Sequence, residues 1–564
     1  MTDTTVPPTT TGEVETDFNL GDIFEAIADA VPDRPAIGYE GTDVSYRELD
    51  ERANAMGHLF LAHGIGPGDH VALYLKNSLE HVYAMVALLK IGATSVNVNY
   101  RYTAAELGYI VDNADVTAVV VELPEHQRTL ASVLPGSRVH TVFVVGDTVD
   151  ELAAAASAST TVATVDLSGQ STERDFAPRT GDQLYLLYTG GTTGYPKGVM
   201  WRHDDFFHKP LSGGNPYGPE SLTDLAAIAH NASTFAPLSF LLAAPLMHGA
   251  AIYSMFMFFI NGGRLVLQRD FVASKVLDAV ENGGVQIILI VGDGMGAPLV
   301  AEMERRQAAG TLDVTGLLSI TNGGAIWSTS VRERMRAVKP DLWFRDNFGA
   351  SETGNDGELL IDEHGTLRSA PSPGMTVLDE SLTPVEPGSP DIGYIARVGR
   401  VPLGYYKDPE KSARTFVTLP DGRRAAILGD MGRLEEDGSI VFLGRGSGCI
   451  NTGGEKVFPE EVEAVVQGHP DVADVLVVGV PDERFGQKVA AVVSAPDGAT
   501  PPTMEELQAH CRQSLAGYKV PRLVVPVDAV KRSPAGKADY RWASATATSA
   551  LESATGVNTP SSGR

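Results

Sequence analysis

Residues 188–199 read YTGGTTGYPKGV, four glycines, three threonines and one lysine in twelve positions, directly after the apolar run LYLL. Backbone N–H groups in a glycine turn can converge on an anion, and threonine hydroxyls add donors. Lys197 brings positive charge to the end of the loop. The chemistry this suits is the holding of a phosphate chain, a triphosphate above all. The common nucleotide loop has the form G-x4-G-K-[ST]. Here Lys197 stands behind Tyr195 and Pro196, so the loop is of another kind. VGDGMG (291–296) offers half of a dinucleotide fingerprint after the run QIILI. It lacks the third spaced glycine, and a plain strand-to-helix turn is the simpler expectation.

Such a loop needs strands to carry it. Apolar runs at 70–75, 117–122, 140–146, 183–190, 264–268 and 285–292 read as buried strands. Segments with an apolar stripe at helical spacing, such as SLEHVYAMVALLKIGA (78–93), lie between them. Strand–helix alternation with continuous apolar strands predicts an α/β fold with parallel sheets. From about residue 370 the texture turns proline- and glycine-rich with short strands, which predicts a β-rich subdomain. After GRGSG (444–448) follows a unit of helix, two strands and helix, which predicts a separate small α+β domain. The expected division is a disordered lead-in at 1–17, a large N-terminal domain of two α/β subdomains plus the β-rich subdomain at 18–443, a hinge at 444–448, a mobile C-terminal domain at 449–543, and a disordered Ala/Ser/Thr tail at 544–564.

The 564 residues carry a net charge of −27, which argues against a nucleic-acid backbone partner, since that needs a basic face. Two cysteines, Cys449 and Cys511, cannot form a disulfide framework, and a reducing, cytoplasmic setting fits. The N-terminus lacks the basic start and apolar core of a secretory signal. Residues 235–260 hold no Asp, Glu, Lys or Arg. A membrane span needs about 20 such residues, but Pro237, Pro245, His248 and Gly249 break the run. A pair of buried helices, or the wall of an apolar pocket, is expected instead.

The loop resembles the signature of the adenylate-forming superfamily of acyl-CoA synthetases, nonribosomal adenylation domains and luciferases, with Gly190 where the family usually has serine. Further matches follow in the family's order: NGGA (322–325), NFGASETG (347–354), LGDMGRLEEDG (428–438), FLGRGSGCINTGGEKVFPEEVE (442–463) and KRSPAGKADYRW (531–542). The resemblance spans roughly residues 20 to 543. It implies ATP, Mg²⁺ and CoA as reactants and cofactor. Thr189, Gly190, Gly191, Thr192, Thr193, Gly194 and Lys197 would then hold the phosphates. Glu352 would ligate Mg²⁺, with the Thr189 hydroxyl nearby. Gly323, Gly324, Ala325, Asn347, Phe348, Gly349, Ala350 and Ser351 would frame the adenine side, Phe348 stacking on the ring. Asp430 and Arg445 would take the ribose. Lys537 would bridge carboxylate and α-phosphate, and His248 would stand between the nucleotide and the acyl group. Gly453 and Gly454 would line the pantetheine path, with Glu455 and Lys456 at its rim. Gly448 stands where the family commonly has a hinge Asp, and Asn451 where it often has Lys.

The apolar neighbours of His248, from Met255 to Phe259, suggest a hydrophobic acid, with no Asp or Lys among them for a second charged group. The details are most similar to actinobacterial synthetases acting on steroid side-chain carboxylates and fatty acids. Two alternatives remain on the sequence: an acyl-AMP ligase that loads a carrier protein, and a non-catalytic acyl- or nucleotide-binding relative. Peripheral membrane contact and a homodimer are both compatible with it.

Overall fold

A computed structural model describes residues 16–156, 160–190, 195–216, 220–323, 327, 329–361, 367–445, 450–457, 459–496, 498–531 and 539–555. The continuous apolar runs become inner strands, because parallel strands covered on both faces leave no side for polar residues. In one sheet Pro35–Tyr39, Arg264–Leu267, Ser239–Leu242, Ile287–Ile290, Ser319–Gly323 and Trp343–Ala350 lie side by side and parallel. At Trp343–Ala350 the pairing turns antiparallel, to Gly354–Ile361. The sheet then runs on through Leu367–Ser369, Ile440–Arg445, Arg424–Leu434, Gly393–Val398 and Met375–Leu378. The β-rich region therefore starts at 354, earlier than its composition suggests, and continues the parallel sheet.

The second sheet is ordered Gly404–Tyr405, Lys197–Arg202, Leu184–Thr189, Thr94–Asn97, His70–Tyr74, Ala118–Val121, Thr141–Val144, Thr161–Thr164. Helix Leu79–Ile91 starts at its N-cap Ser78 and stops at Gly92, whose φ of +74° needs glycine. It is buried on every side from His81 to Ile91, in a core shared by residues of both sheets. Lys90 is tolerated there because its ammonium donates to Glu25 (3.0 Å), Asp50 (2.5 Å) and Asn54 (2.6 Å).

Residues 235–260 fold as one buried strand, Ser239–Leu242, and one helix, Gly249–Ile260, rather than as a pair of helices. The prolines cut the run too early for the first helix to form. Among the described residues no helix is long and apolar enough to cross a membrane. VGDGMG is a strand-to-helix turn: Val291 is the N-cap and Gly292–Ala308 the helix.

The C-terminal unit is a five-stranded sheet built on the hairpin Asp474–Asp482/Gly486–Ser494. Helices Pro459–Gln467 and Met504–Cys511 bring their apolar sides to the core on one face. The other face is covered by helix Tyr540–Thr555, through buried Ala543 and Ala547. This corrects the expected tail: alanine at this spacing packs a helix closely onto strands, so the unit extends beyond 543. At the other end the Thr16 hydroxyl, inside the expected lead-in, donates to Asp204 (2.7 Å). Of the expected hinge, residues 446–448 lie outside the described residues.

Candidate active site

A cleft of about 270 Å³ opens where the strands Leu184–Thr189, Ser319–Gly323 and Trp343–Ala350 end and the C-terminal unit begins. Ligands of open α/β sheets commonly sit beyond such strand ends.

The phosphate-loop sequence leaves one strand at Thr189 and enters the next at Lys197, and these two residues face each other across the antiparallel pair. Thr189 and Gly190 line the cleft. Gly191, Thr192, Thr193 and Gly194 lie outside the described residues. Lys197 is 7% exposed, with its ammonium 5.3 Å from the centre of the Tyr405 ring. The Tyr405 hydroxyl donates to Glu352 at 2.8 Å. Burial, reinforced by the Glu352 charge, pushes the Tyr405 phenol up, so it stays a donor. The loop's lysine and the candidate metal ligand are thus joined through one aromatic ring. Glu352 follows the cleft-lining Ser351, whose carbonyl accepts from Trp201 Nε1 (2.9 Å) and the Tyr253 hydroxyl (3.2 Å).

On the adenine side Gly323 pairs in register with Asn347, and both line the cleft with Phe348, Gly349, Ala350 and Ser351. Gly324 and Ala325 lie outside the described residues. Behind this pair, Asn322 donates to Asp346 (2.8 Å), Arg332 pairs with Asp346 (2.7 Å), and Asn322 Oδ1 accepts from the Gly292 N–H (2.8 Å). Burial lifts the Asp346 carboxyl above its ordinary value, against the pull of Asn322 and Arg332. Gly349 is required by a close approach: a Cβ there would sit 2.0 Å from the Gly354 carbonyl oxygen. The Phe348 ring meets Phe442 edge-on, centroids 4.8 Å apart at 71°. Asp430 stands opposite Arg445 in the antiparallel ladder; the Arg445 side chain is not described.

His248 is the N-cap of helix Gly249–Ile260, on a turn held by two buried asparagines. Asn97 donates to the carbonyls of Tyr188 (2.8 Å) and Met247 (2.6 Å) and accepts from the Tyr188 N–H (2.6 Å). Asn77 accepts from Leu246 N–H (2.8 Å) and donates to the Ala244 and Gln268 carbonyls. Beyond His248 the wall is apolar: Phe240, Met257, Phe258, Ile287 and Leu289. The run 255–259 divides by helical period. Met257 and Phe258 reach the cleft, whereas Met255, Phe256 and Phe259 are buried in the core.

The C-terminal unit closes the cleft with Gly454, Glu455, Tyr518 and Lys519. Glu455 is buried, 3.4 Å from His248 Nε2 and 2.5 Å from Arg101. Burial alone would raise its carboxyl; His248, then Arg101 and Lys519, outweigh that and hold it below the ordinary value. Lys519 pairs with Glu106 (2.8 Å), both nearly inaccessible. Gly453 and Gly454 both adopt positive φ, +58° and +85°. A Cβ on Gly454 would come 2.1 Å from Val291 Cγ1. The Lys456 side chain and the whole of Lys537 lie outside the described residues.

Sequence reasoning missed Asn97, Arg101, Tyr405, Tyr518, Lys519 and Arg345, all at or against this cleft. Tyr405 sits in GYYKDPEKSARTF and Tyr518–Lys519 in AGYKVPR, both conspicuous polar-aromatic stretches. Arg345 follows the aromatic pair Trp343–Phe344 at the strand start, three residues before Phe348.

Comparison with known proteins agrees with this architecture. Residues 24–406 match the AMP-binding enzyme family, and residues 461–537 the AMP-binding enzyme C-terminal domain. The 3-oxocholest-4-en-26-oate–CoA ligase of Rhodococcus rhodochrous is 42% identical over 93% of this chain and 95% of its own. A medium/long-chain-fatty-acid–CoA/3-oxocholest-4-en-26-oate–CoA ligase of Mycolicibacterium smegmatis is 43% identical over 93% and 96%. Among solved structures, an amide bond synthetase from Marinactinospora thermotolerans shares the fold at a TM-score of 0.75, with 24% identity over 93% of this chain and 99% of that one. With cleft, domain order and both family segments in agreement, the chain belongs to the AMP-binding enzymes, the adenylate-forming superfamily.

Proposed function

We propose that this chain is an AMP-forming acyl-CoA synthetase for hydrophobic carboxylic acids, steroid side-chain carboxylates or medium- and long-chain fatty acids. The observation that carries the reading is a single cleft joining the phosphate loop and adenine-side strands to an apolar wall, with His248 between them. In the first step a carboxylate oxygen attacks the α-phosphate of ATP and pyrophosphate leaves. In the second the CoA sulfur attacks the acyl carbon and AMP leaves.

Two anions meet in the first step, so positive charge at both ends is needed. Lys197 supplies it at the base of the loop, and Lys537 is assigned the bridge between carboxylate and α-phosphate. Asp430 and Arg445 hold the ribose hydroxyls, and Phe348 covers the adenine. For Mg²⁺, Glu352 fits: this ion commonly takes one or two carboxylates and draws its other ligands from phosphates and water. One Glu352 oxygen accepts from Tyr405, which leaves a second carboxylate oxygen for a cation. Glu352, with the Thr189 hydroxyl nearby, would hold such an ion, which would neutralise charge at the phosphates.

The docked C-terminal hairpin with Gly453, Gly454 and Glu455 is the arrangement we assign to the thioester step, the two glycines giving a pantetheine arm room to pass. The reading is tested by incubating the protein with ATP, Mg²⁺, CoA and carboxylic acids from acetate through long fatty acids to steroid side-chain acids. Acyl-CoA plus AMP is the expected product. Acyl-adenylate without thioester would move the function to carrier loading, and no product with any acid would overturn catalysis.

A further inference from the structure

The apolar wall of the cleft has a polar floor. Along Ser319–Gly323 and Trp343–Ala350, alternate residues face the cleft: Ser319, Thr321 and Gly323 on one strand, Trp343, Arg345 and Asn347 on the next. Asn347 lies on the nucleotide side. Arg345 is two residues back along the strand and Ser319 is level with Trp343, four back. At about 3.3 Å per residue these lie roughly 7 Å and 13 Å from Asn347 along the strands, the second level with the half-exposed Trp343. Ser319 is 2% exposed, and its hydroxyl has no hydrogen-bond partner. Arg345 Nε is equally buried and unpartnered. No ion pair neutralises Arg345 among the described residues. Its in-register neighbour on the cleft face is Thr321, with Leu289 one strand further on.

Buried polar groups are rarely left without partners, because each unmet group costs free energy. Two unpartnered donors on the same face of one wall of an apolar cavity mark the place of a ligand acceptor. We propose that Arg345 and Ser319 form a subsite for a hydrogen-bond-accepting oxygen at the end of the acid remote from its carboxylate. This deepens, and rests on, the synthetase reading above. It selects within that substrate class for acids bearing a distal ketone or similar oxygen, such as an oxidised steroid nucleus. A plain alkyl chain leaves both donors bare. Arg345 acts here in specificity and carries no role in the transfer itself.

The test compares matched acids: a steroid side-chain acid with and without a ring ketone, and a straight-chain fatty acid with and without a ketone near its far end. kcat/KM for adenylation is read by pyrophosphate release, for the wild type, Arg345→Met and Ser319→Ala. The wild type is expected to favour the oxygenated member roughly 10- to 100-fold, the range of a hydrogen bond to a charged group. Arg345→Met is expected to erase most of that preference while holding or raising activity on the plain acid, with Ser319→Ala erasing a smaller part. Equal turnover of both members by the wild type, or an equal loss on both in Arg345→Met, would overturn the subsite. In either case adenylation itself would still proceed, whereas failure of the synthetase reading shows as no pyrophosphate release with any acid.

Discussion

The two sides of the cleft are held by different means. On the N-terminal side, buried backbone and amide hydrogen bonds fix the positions: Asn97 ties the phosphate-loop strand to the His248 turn, and Asn322 ties the adenine-side strand to Gly292. On the C-terminal side, charged contacts do much of the work: Glu455 to His248 and Arg101, and Lys519 to Glu106. An amide staple inside a core cannot exchange partners without unfolding. A buried ion pair between two units can part when the units separate, because each charge regains the hydration that burial cost it. The contrast is between a half fixed by buried amide hydrogen bonds and a half whose contacts with it are largely charged.

The comparison is sharpened most by a C-terminal residue proposed for the first step. Lys537→Ala is expected to slow adenylate formation on the order of 10²–10³-fold, as for loss of one transition-state charge contact. The reaction of preformed adenylate with CoA should be nearly unchanged. Equal loss in both half-reactions, followed separately by single-turnover assay, would remove Lys537 from that role.

The fixed half should behave in the opposite way. Asn97→Ala leaves the Tyr188 N–H and the Met247 carbonyl without their partner, at a cost of about 2–3 kcal/mol. Thermal unfolding should shift down and both half-reactions should fall together. A stable variant that loses only one half-reaction would show that Asn97 belongs to a particular step, and the contrast would fail.

How much of this was legible beforehand follows the same division. The inner strands declared themselves, because burial on both faces writes continuous apolar runs such as Ile287–Ile290. A phosphate loop is an expectation that glycine and threonine content alone supports, while the rest of the candidate site is expected only through the order of motifs. Asn97 and Asn77 were invisible: an asparagine is ordinarily a turn or surface residue, and only the fold shows which carbonyls it meets. Arg345 gives no sequence signal of its own, because the cleft takes its polar residues from strands about 100 residues beyond the apolar run around His248. The helix Tyr540–Thr555 was misread as a tail because Ala and Ser carry little hydrophobic signal, although small side chains are what lets a helix lie close on a sheet.

Gly454 tests the docked arrangement directly. Its φ of +85° disfavours any side chain, and a Cβ meets Val291 at 2.1 Å. Gly454→Val is expected to cut the thioester step about tenfold or more while leaving adenylation within a few-fold of wild type. A matching drop in adenylation would mean that this hairpin stays docked through both steps.

The smallest effect belongs to Glu455, and it carries a sign. Its carboxyl lies below the ordinary value of 4.5, because His248, Arg101 and Lys519 together overcome burial. A group with a depressed value favours the docked state wherever it is charged. That contribution is fully present above pH 4.5 and fades only as pH falls through the lowered value. Around neutrality, then, Glu455 itself introduces no pH dependence into docking. Arg101 is 44% exposed and His248 34%, so solvent screens much of the attraction. Glu455→Gln is expected to slow the thioester step only about three- to tenfold, with the deficit shrinking as salt is raised, because the wild type loses the same attraction to screening. A deficit that salt leaves untouched would show that Glu455 acts on the thiol or the adenylate rather than on docking, and the C-terminal half would then hold part of its chemistry as rigidly as the N-terminal half holds its own.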